Sequence, residues 1–251
     1  MVWAQTLLSV LAVGLTSLVG VFGLSLDEAR LRRLSTTLIG FAVGALLGDA
    51  FLHLMPQAFE SAGKLATSAS MLGGVLLFFL AEKLLRHEHG PLYRRAHPHG
   101  VGKPELAVIN LVGDGVHNFI DGALIAASWQ DSAGLGLSTT VAVLLHELPQ
   151  ELGDFGVLIR SGLSVKRALV LNLASGGLAV VGAVLTLVWG AAVGRHLTQV
   201  LVPFTAGGFL YIAMASLIPE LQHDRTMKGF FTQFAMIGLG LAVMGALLIA
   251  E

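Results

Sequence analysis

The strongest constraint on this chain of 251 residues is its succession of apolar stretches, each long enough to cross a bilayer as a helix. A crossing needs about 20 mostly apolar residues, because the hydrocarbon core is about 30 Å thick and a helix rises about 1.5 Å per residue. Eight stretches qualify, at 2–24, 36–57, 67–85, 105–129, 134–159, 166–192, 199–219 and 229–250. Eight crossings of about 22 residues use most of the chain. The sequence therefore predicts an all-α, polytopic membrane protein forming a single transmembrane domain over 1–251. Charged residues make up only 12%, about half the usual share of a soluble domain, and mean hydropathy is +0.78. That balance excludes a disordered chain, a nucleic-acid binder working through a basic surface, and most soluble enzymes. There is no cysteine, which removes disulfides, thiolate metal sites and cysteine nucleophiles. The first stretch is expected to be a retained helix. Its first basic neighbour is Arg30, and its apolar run is too long for a signal peptide.

Lys and Arg set the orientation. The segments after spans one, three, five and seven hold 13 of the 15 basic residues, and the opposite side holds only Lys64 and Arg195. Both termini are therefore expected on the non-cytoplasmic side of the plasma membrane, or of the inner membrane in a bacterium. Spans two and seven share a pattern offset by 163 residues. Phe41-Ala42-Val43-Gly44 recurs as Phe204-Thr205-Ala206-Gly207, and Leu54-Met55-Pro56 as Leu217-Ile218-Pro219. These segments run in opposite directions, as in an inverted repeat of helices 1–3 and 6–8 around helices 4–5. Gly40, Gly44 and Gly48, and again Gly190 and Gly194, have the spacing that lets helix backbones approach closely.

Spans four and five carry the chemistry. In span four, Asp114, His117, Asn118 and Asp121 stand at i, i+3, i+4 and i+7, on one helical face. In span five, His146 and Gln150 are one turn apart, and Glu147, Glu151 and Asp154 share another face. Neither run contains Lys or Arg. A carboxylate at mid-bilayer costs about 2.5–3.5 kcal/mol, so five of them without a fixed positive partner call for bound cations. Imidazole and carboxylate without sulfur suit Zn²⁺, Fe²⁺ or Mn²⁺. Pro149 cannot donate to the Leu145 carbonyl, which predicts a kink beside His146. Asp49 and His53, one turn apart on span two, are candidates for the cation path or for auxiliary ligands. Glu60, Glu82 and Glu220 lie near span ends and are expected to be solvated. The segment 86–104 is read as a cytoplasmic loop whose His87, His89, His97 and His99 form two His-x-His pairs that can bind Zn²⁺ weakly.

At these two helices the sequence resembles the ZIP family of divalent-metal transporters. His117-Asn118-Phe119-Ile120-Asp121-Gly122 is similar to that family's HNxxDG motif, and His146 to Phe155, HELPQELGDF, is similar to HExPxExGDF. The resemblance implies eight helices and a binuclear or paired metal site. It assigns His117, Asp121, His146 and Glu147 to the primary ion, with Asn118 and Glu151 contributing nearby. It also implies Zn²⁺ or another divalent metal as transported substrate rather than catalytic cofactor, uptake into the cytoplasm, a homodimer, and elevator-like movement of helices four and five. Two positions depart from the pattern. Gln150 stands where many members carry His and others Glu, and no Glu follows Ala174-Ser175-Gly176 in helix six.

Two rival functions use similar residues. An intramembrane zinc protease needs H-E-x-x-H on one helix face, but Gln150 replaces the second His and Pro149 interrupts the helix. A divalent-cation channel fits the carboxylates, yet imidazole ligands hold transition metals too tightly for fast passage. A carrier accounts for both ligand types, so the protein is not expected to be an enzyme.

Overall fold

The structure, a computed structural model, describes residues 1–25, 28–61, 63–96, 104–222 and 226–250. Among these, the chain forms eight helical rods and no strand. Rod α1 is Val2–Gly14, continued by a 3₁₀ segment Leu15–Ser25; α2 is Glu28–Gly48, a π turn Asp49–Leu54, then Met55–Ser61. Next come α3 (Lys64–Ala96), α4 (Pro104–Asp131) and α5 (Ala133–Arg160). Rod α6 joins Val165–Gly176 to Leu178–Trp189; α7 is Ala191–Tyr211, a π turn Ile212–Leu217 and Ile218–Leu221; α8 is Met227–Ala250. Six rods contain segments long and apolar enough to cross a membrane: Val2–Phe22, Leu34–Ser61, Lys64–Leu85, Val165–Trp189, Ala191–Leu221 and Met227–Ile249. Rods α4 and α5 carry the acidic and histidine runs that lower their hydropathy.

Most expected spans match these rods to within a few residues. Rod α3 runs beyond the span expected to end at 85, its backbone helical to Ala96. His97 and His99 lie outside the described residues, as do the side chains of His87 and His89. Another difference lies between spans six and seven. The sixth was expected to reach 192 and the seventh to begin at 199. Instead α6 stops at Trp189 and α7 starts at Ala191, with Gly190 at φ +93° between them. That left-handed backbone is strained for a residue with a Cβ, and glycine permits the reversal in a single residue. Gly190 thus makes a turn, while Gly194 packs against Thr186 of the preceding rod.

The other glycine spacing works as a helix interface. A Cβ on Gly44 would lie 2.1 Å from the Ile237 carbonyl oxygen of α8. On Gly207 it would lie 2.0 Å from that of Met71 on α3. So α2 packs on α8 and α7 on α3, each backbone to backbone. Both π turns precede a proline. Pro56 and Pro219 have no N–H for the carbonyls of Leu52 and Ala215. The wider turn shifts the pairing instead, with Met55 N–H donating to Ala50 and Ile218 N–H to Ala213.

Rod α4 stands at the centre. On one side it shares a core with α1, α5 and α6, where Val10, Val13, Ile125, Val143 and Ala183 meet. On the other, its Ile109 and Ile120 join a larger core with Ile39 and Val43 of α2, Phe78 of α3 and Phe209 of α7. Rod α5 is one continuous helix through Pro149.

Candidate metal centre

The i, i+3, i+4, i+7 face of α4 turns toward α5, bringing together the side chains that the sequence marked. His117, Asp121, His146 and Glu147 each offer one ligand atom, all within 4.8 Å of one another. His117 Nε2 is 3.5 Å from Asp121 Oδ2 and 3.4 Å from Glu147 Oε1. His146 Nε2 is 3.4 Å from Asp121 Oδ2 and 4.0 Å from Glu147 Oε1. A tetrahedral zinc site with bonds of about 2.0–2.2 Å has ligand-to-ligand edges of about 3.3–3.6 Å. Three of the four separations fall in that range, and the fourth needs a shift of about half an ångström to reach it. His117 and Glu147 are 1% and 0% exposed. Both ring nitrogens of His117 and both carboxylate oxygens of Glu147 have no hydrogen-bond partner. Buried polar atoms are nearly always paired, so unpaired His117 Nε2 and Glu147 Oε1 facing each other across 3.4 Å are what a ligand set would present.

The cluster opens to a cavity of about 390 Å³. His117, Asp121 and His146 line its floor, Asp49 and His53 its wall, and Gln57 and Glu60 its outer part. His53 belongs to the π turn of α2. Its ring lies 6.4 Å from that of His146, and its Nδ1 is 3.7 Å from Asp49 Oδ1. Neither Asp49 nor His53 has a hydrogen-bonded side-chain atom. These two residues therefore line the same cavity as the four-residue cluster.

The remaining candidates sit elsewhere. Asn118 is turned away from the cluster and donates to Asp114 Oδ1 at 2.9 Å. Gln150 is 2% exposed, with neither amide atom paired. Glu151 joins Asp114 and Asp154 in a second group of three carboxylates. Ser17 of α1 and Asn172 of α6 both donate to Glu151. Asn110 donates to Asp154 at 3.0 Å. Ser17, Asn110 and Asn172 were missed from sequence. Their one visible signal was a polar side chain inside an apolar span, which is costly in lipid unless partnered.

The expectation that Glu82 and Glu220 are solvated is overturned: they are 5% and 8% exposed. Close packing of α3 on α7 covers Glu82, which accepts a hydrogen bond of 2.7 Å from Ser216. Glu220 lies against the end of α5, 3.8 Å from Arg160. Position near the end of a span says how far a residue is from water along the helix. It does not say which face the neighbouring rods will cover.

Comparison with known proteins identifies the family. The ZIP zinc transporter family matches residues 2–105 and 87–248. The ZIP13 homolog of Drosophila melanogaster is 28% identical, over 98% of this chain and 88% of its own length. Zinc transporter ZIP13 of Pongo abelii is 32% identical over 96% and 77%. Zinc transporter zipt-7.1 of Caenorhabditis briggsae is 32% identical over 88% and 70%. Near-complete coverage by the family, on a helical bundle whose two motif-bearing rods meet at a His₂AspGlu cluster, makes this chain a member of the ZIP zinc transporter family.

Proposed function

We propose that this protein carries Zn²⁺, and with it other divalent transition metals such as Cd²⁺, Fe²⁺ and Mn²⁺, across the membrane into the cytoplasm. The observation that carries the reading is the ring of His117, Asp121, His146 and Glu147, whose separations suit a tetrahedral ion. Two neutral imidazoles fix geometry, and two carboxylates cancel the charge of a divalent ion. A neutral complex avoids most of the cost of a bare charge in the bilayer. The relatives named above are zinc transporters, which places zinc first among the cargoes.

The cycle follows from the layout. The ion enters the cavity past Glu60 and Gln57, is drawn on by Asp49 and His53, and exchanges water for the four ligands. Neutralisation then permits a rigid group built around α4 and α5 to move against the other rods, in an elevator-like step. A membrane potential of 100 mV, inside negative, favours inward passage of two charges by about 4.6 kcal/mol. The distribution of basic residues supports a cavity mouth on the outside, with both termini on that side. Eight crossings in all, counting α4 and α5, complete the arrangement, and we take the working unit to be a homodimer. Two observations support an inverted repeat: the π turns at Asp49–Leu54 and Ile212–Leu217 are 163 residues apart, and α2 on α8 mirrors α7 on α3.

The test is uptake of radioactive Zn²⁺ into proteoliposomes under an imposed potential. His117→Ala and Glu147→Ala should each cut initial uptake at least a hundredfold, while the protein stays monodisperse in detergent. Uptake that survives both substitutions would remove the four-residue cluster from the transport path.

A further inference from the structure

Rods α6 and α7 are held by different neighbours, yet a single residue joins them. A Cβ on Gly122 of α4 would run into the Ala179 carbonyl of α6, and one on Gly182 of α6 into the Phe119 carbonyl of α4. These two rods therefore touch backbone to backbone at two points. Rod α7 makes the same kind of contact with α3, where a Cβ on Gly74 would run into the Phe204 carbonyl. Between α4 and α7 the contact is softer, since a Cβ on Gly113 would meet only the side-chain end of Ile212 at 2.7 Å. Packed helices slide through side chains, while interlocked backbones resist. The link between α6 and α7 is Gly190, at φ +93° and ψ 158°. That region of backbone space is essentially open to glycine alone.

The junction carries a clamp. The first N–H groups of a helix have no partner within it, and Gly190, the N-cap of α7, has no side chain to supply one. Gln130 reaches across from α4 instead. Its Oε1 accepts from Ala191 N–H at 3.0 Å, and its Nε2 donates to the Thr186 carbonyl of α6 at 3.0 Å. One amide thus bridges both sides of Gly190. Beside it, Arg195 of α7 pairs with Asp131 at 3.2 Å, but both side chains are about half exposed and water weakens such a pair. Gln130 is partly buried, so it carries the link. Leu124 and Thr139, toward the same end of α4 and α5, line the cavity, so the clamp is closed while the cavity is open.

We propose that Gly190 is the hinge on which α4 and α6 turn against α7, and that Gln130 is a positioning residue that holds this hinge with the cavity open. The proposal rests on the transport reading above and deepens it by naming the joint of the moving group. Turning the hinge parts Gln130 Oε1 from Ala191 N–H and keeps the bond to Thr186, which travels with α4. Removing the clamp, or giving the hinge a Cβ that its backbone does not accept, depopulates the cavity-open state. Apparent affinity for zinc then falls in proportion to that population.

The experiment pairs zinc uptake into proteoliposomes with distances measured by pulsed EPR in lipid nanodiscs. Spin labels go on Gly134→Cys of α5 and Leu65→Cys of α3, two exposed positions in a chain without native cysteine. Gln130→Leu and Gly190→Ala should each raise the half-saturating zinc concentration about fivefold or more, with the maximal rate kept within about threefold. A purely structural role would lower the maximal rate and leave half-saturation in place. Each variant should also lower the share of the distance that prevails in the unsubstituted chain. If Gly190→Ala does not fold, Gln130→Leu decides, since it keeps side-chain volume at a partly exposed position. Half-saturation and distances unmoved in either folded variant would overturn the proposal. Failure of the unsubstituted chain to take up zinc would instead overturn the transport reading, and the distances would still report on the hinge.

Discussion

Rods α2 and α7 share one backbone plan and put it to different uses. Each packs a glycine against a neighbouring carbonyl, at Gly44 and Gly207, and each opens into a π turn before a proline. The side chains at equivalent places diverge. Asp49 and His53 in α2 correspond to Ile212 and Ser216 in α7, and Gln57 corresponds to Glu220. In α2 these positions line the cavity, and neither Asp49 nor His53 makes a side-chain hydrogen bond. In α7, Ser216 is tied to Glu82, and Glu220 lies beside Arg160. One end of the bundle is therefore open and polar while the matching end is fastened. The difference teaches that two rods can share a backbone plan while their side chains set up different surroundings.

That comparison can be broken most forcefully at its shared feature. Gly44→Val and Gly207→Val each place a side chain against a carbonyl about 2 Å away, and each should cost about 3 kcal/mol or more. Loss of the monodisperse peak on size-exclusion chromatography reports it. Tolerance of one substitution and not the other would end the equivalence. The next test addresses the divergence. His53→Ser gives α2 the residue found at the matching place in α7, and should slow zinc uptake roughly tenfold. Ser216→Ala should leave uptake within about twofold, since that position serves packing. The same Ser216→Ala should lower thermal stability in detergent by about 1–2 kcal/mol, because it withdraws a donor from a buried carboxylate. The smallest effect concerns the fastened end. Arg160 is partly exposed, so Arg160→Gln should cost less than about 1 kcal/mol. It should nevertheless speed maleimide labelling of a cysteine introduced at Leu221, and leave one at Ala58 unchanged. The absence of native cysteine makes both reporters clean.

Much of the site was legible in the sequence. Helical periodicity alone put Asp114, His117, Asn118 and Asp121 on one face, and the acidic run of α5 could only be tolerated in lipid if it met something. What periodicity could not do was divide the set. Asn118 and Glu151, expected to contribute near the primary ion, go with Asp114 and Asp154, because the rotation of α4 against α5 aligns His117 with Glu147 and Asp114 with Glu151 and Asp154. Ser17 and Asn172 could not be placed at all, since they come from rods far away in sequence and matter only through the oxygens they reach. Boundaries failed where one glycine did the work of a loop, at Gly190.

By itself, the sequence determined the solvent and the helical class, and it marked the candidate ligands. Apolar stretches longer than a bilayer is thick leave the backbone no choice but helix, and histidines among unpaired carboxylates leave few ions but divalent metals. Only the tertiary structure decided which carboxylates serve histidine and which serve one another, and which end of the bundle is open. Those are questions of how rods rotate and cross, set by where glycine lets backbones touch and where proline widens a turn, and distances along the chain do not encode them.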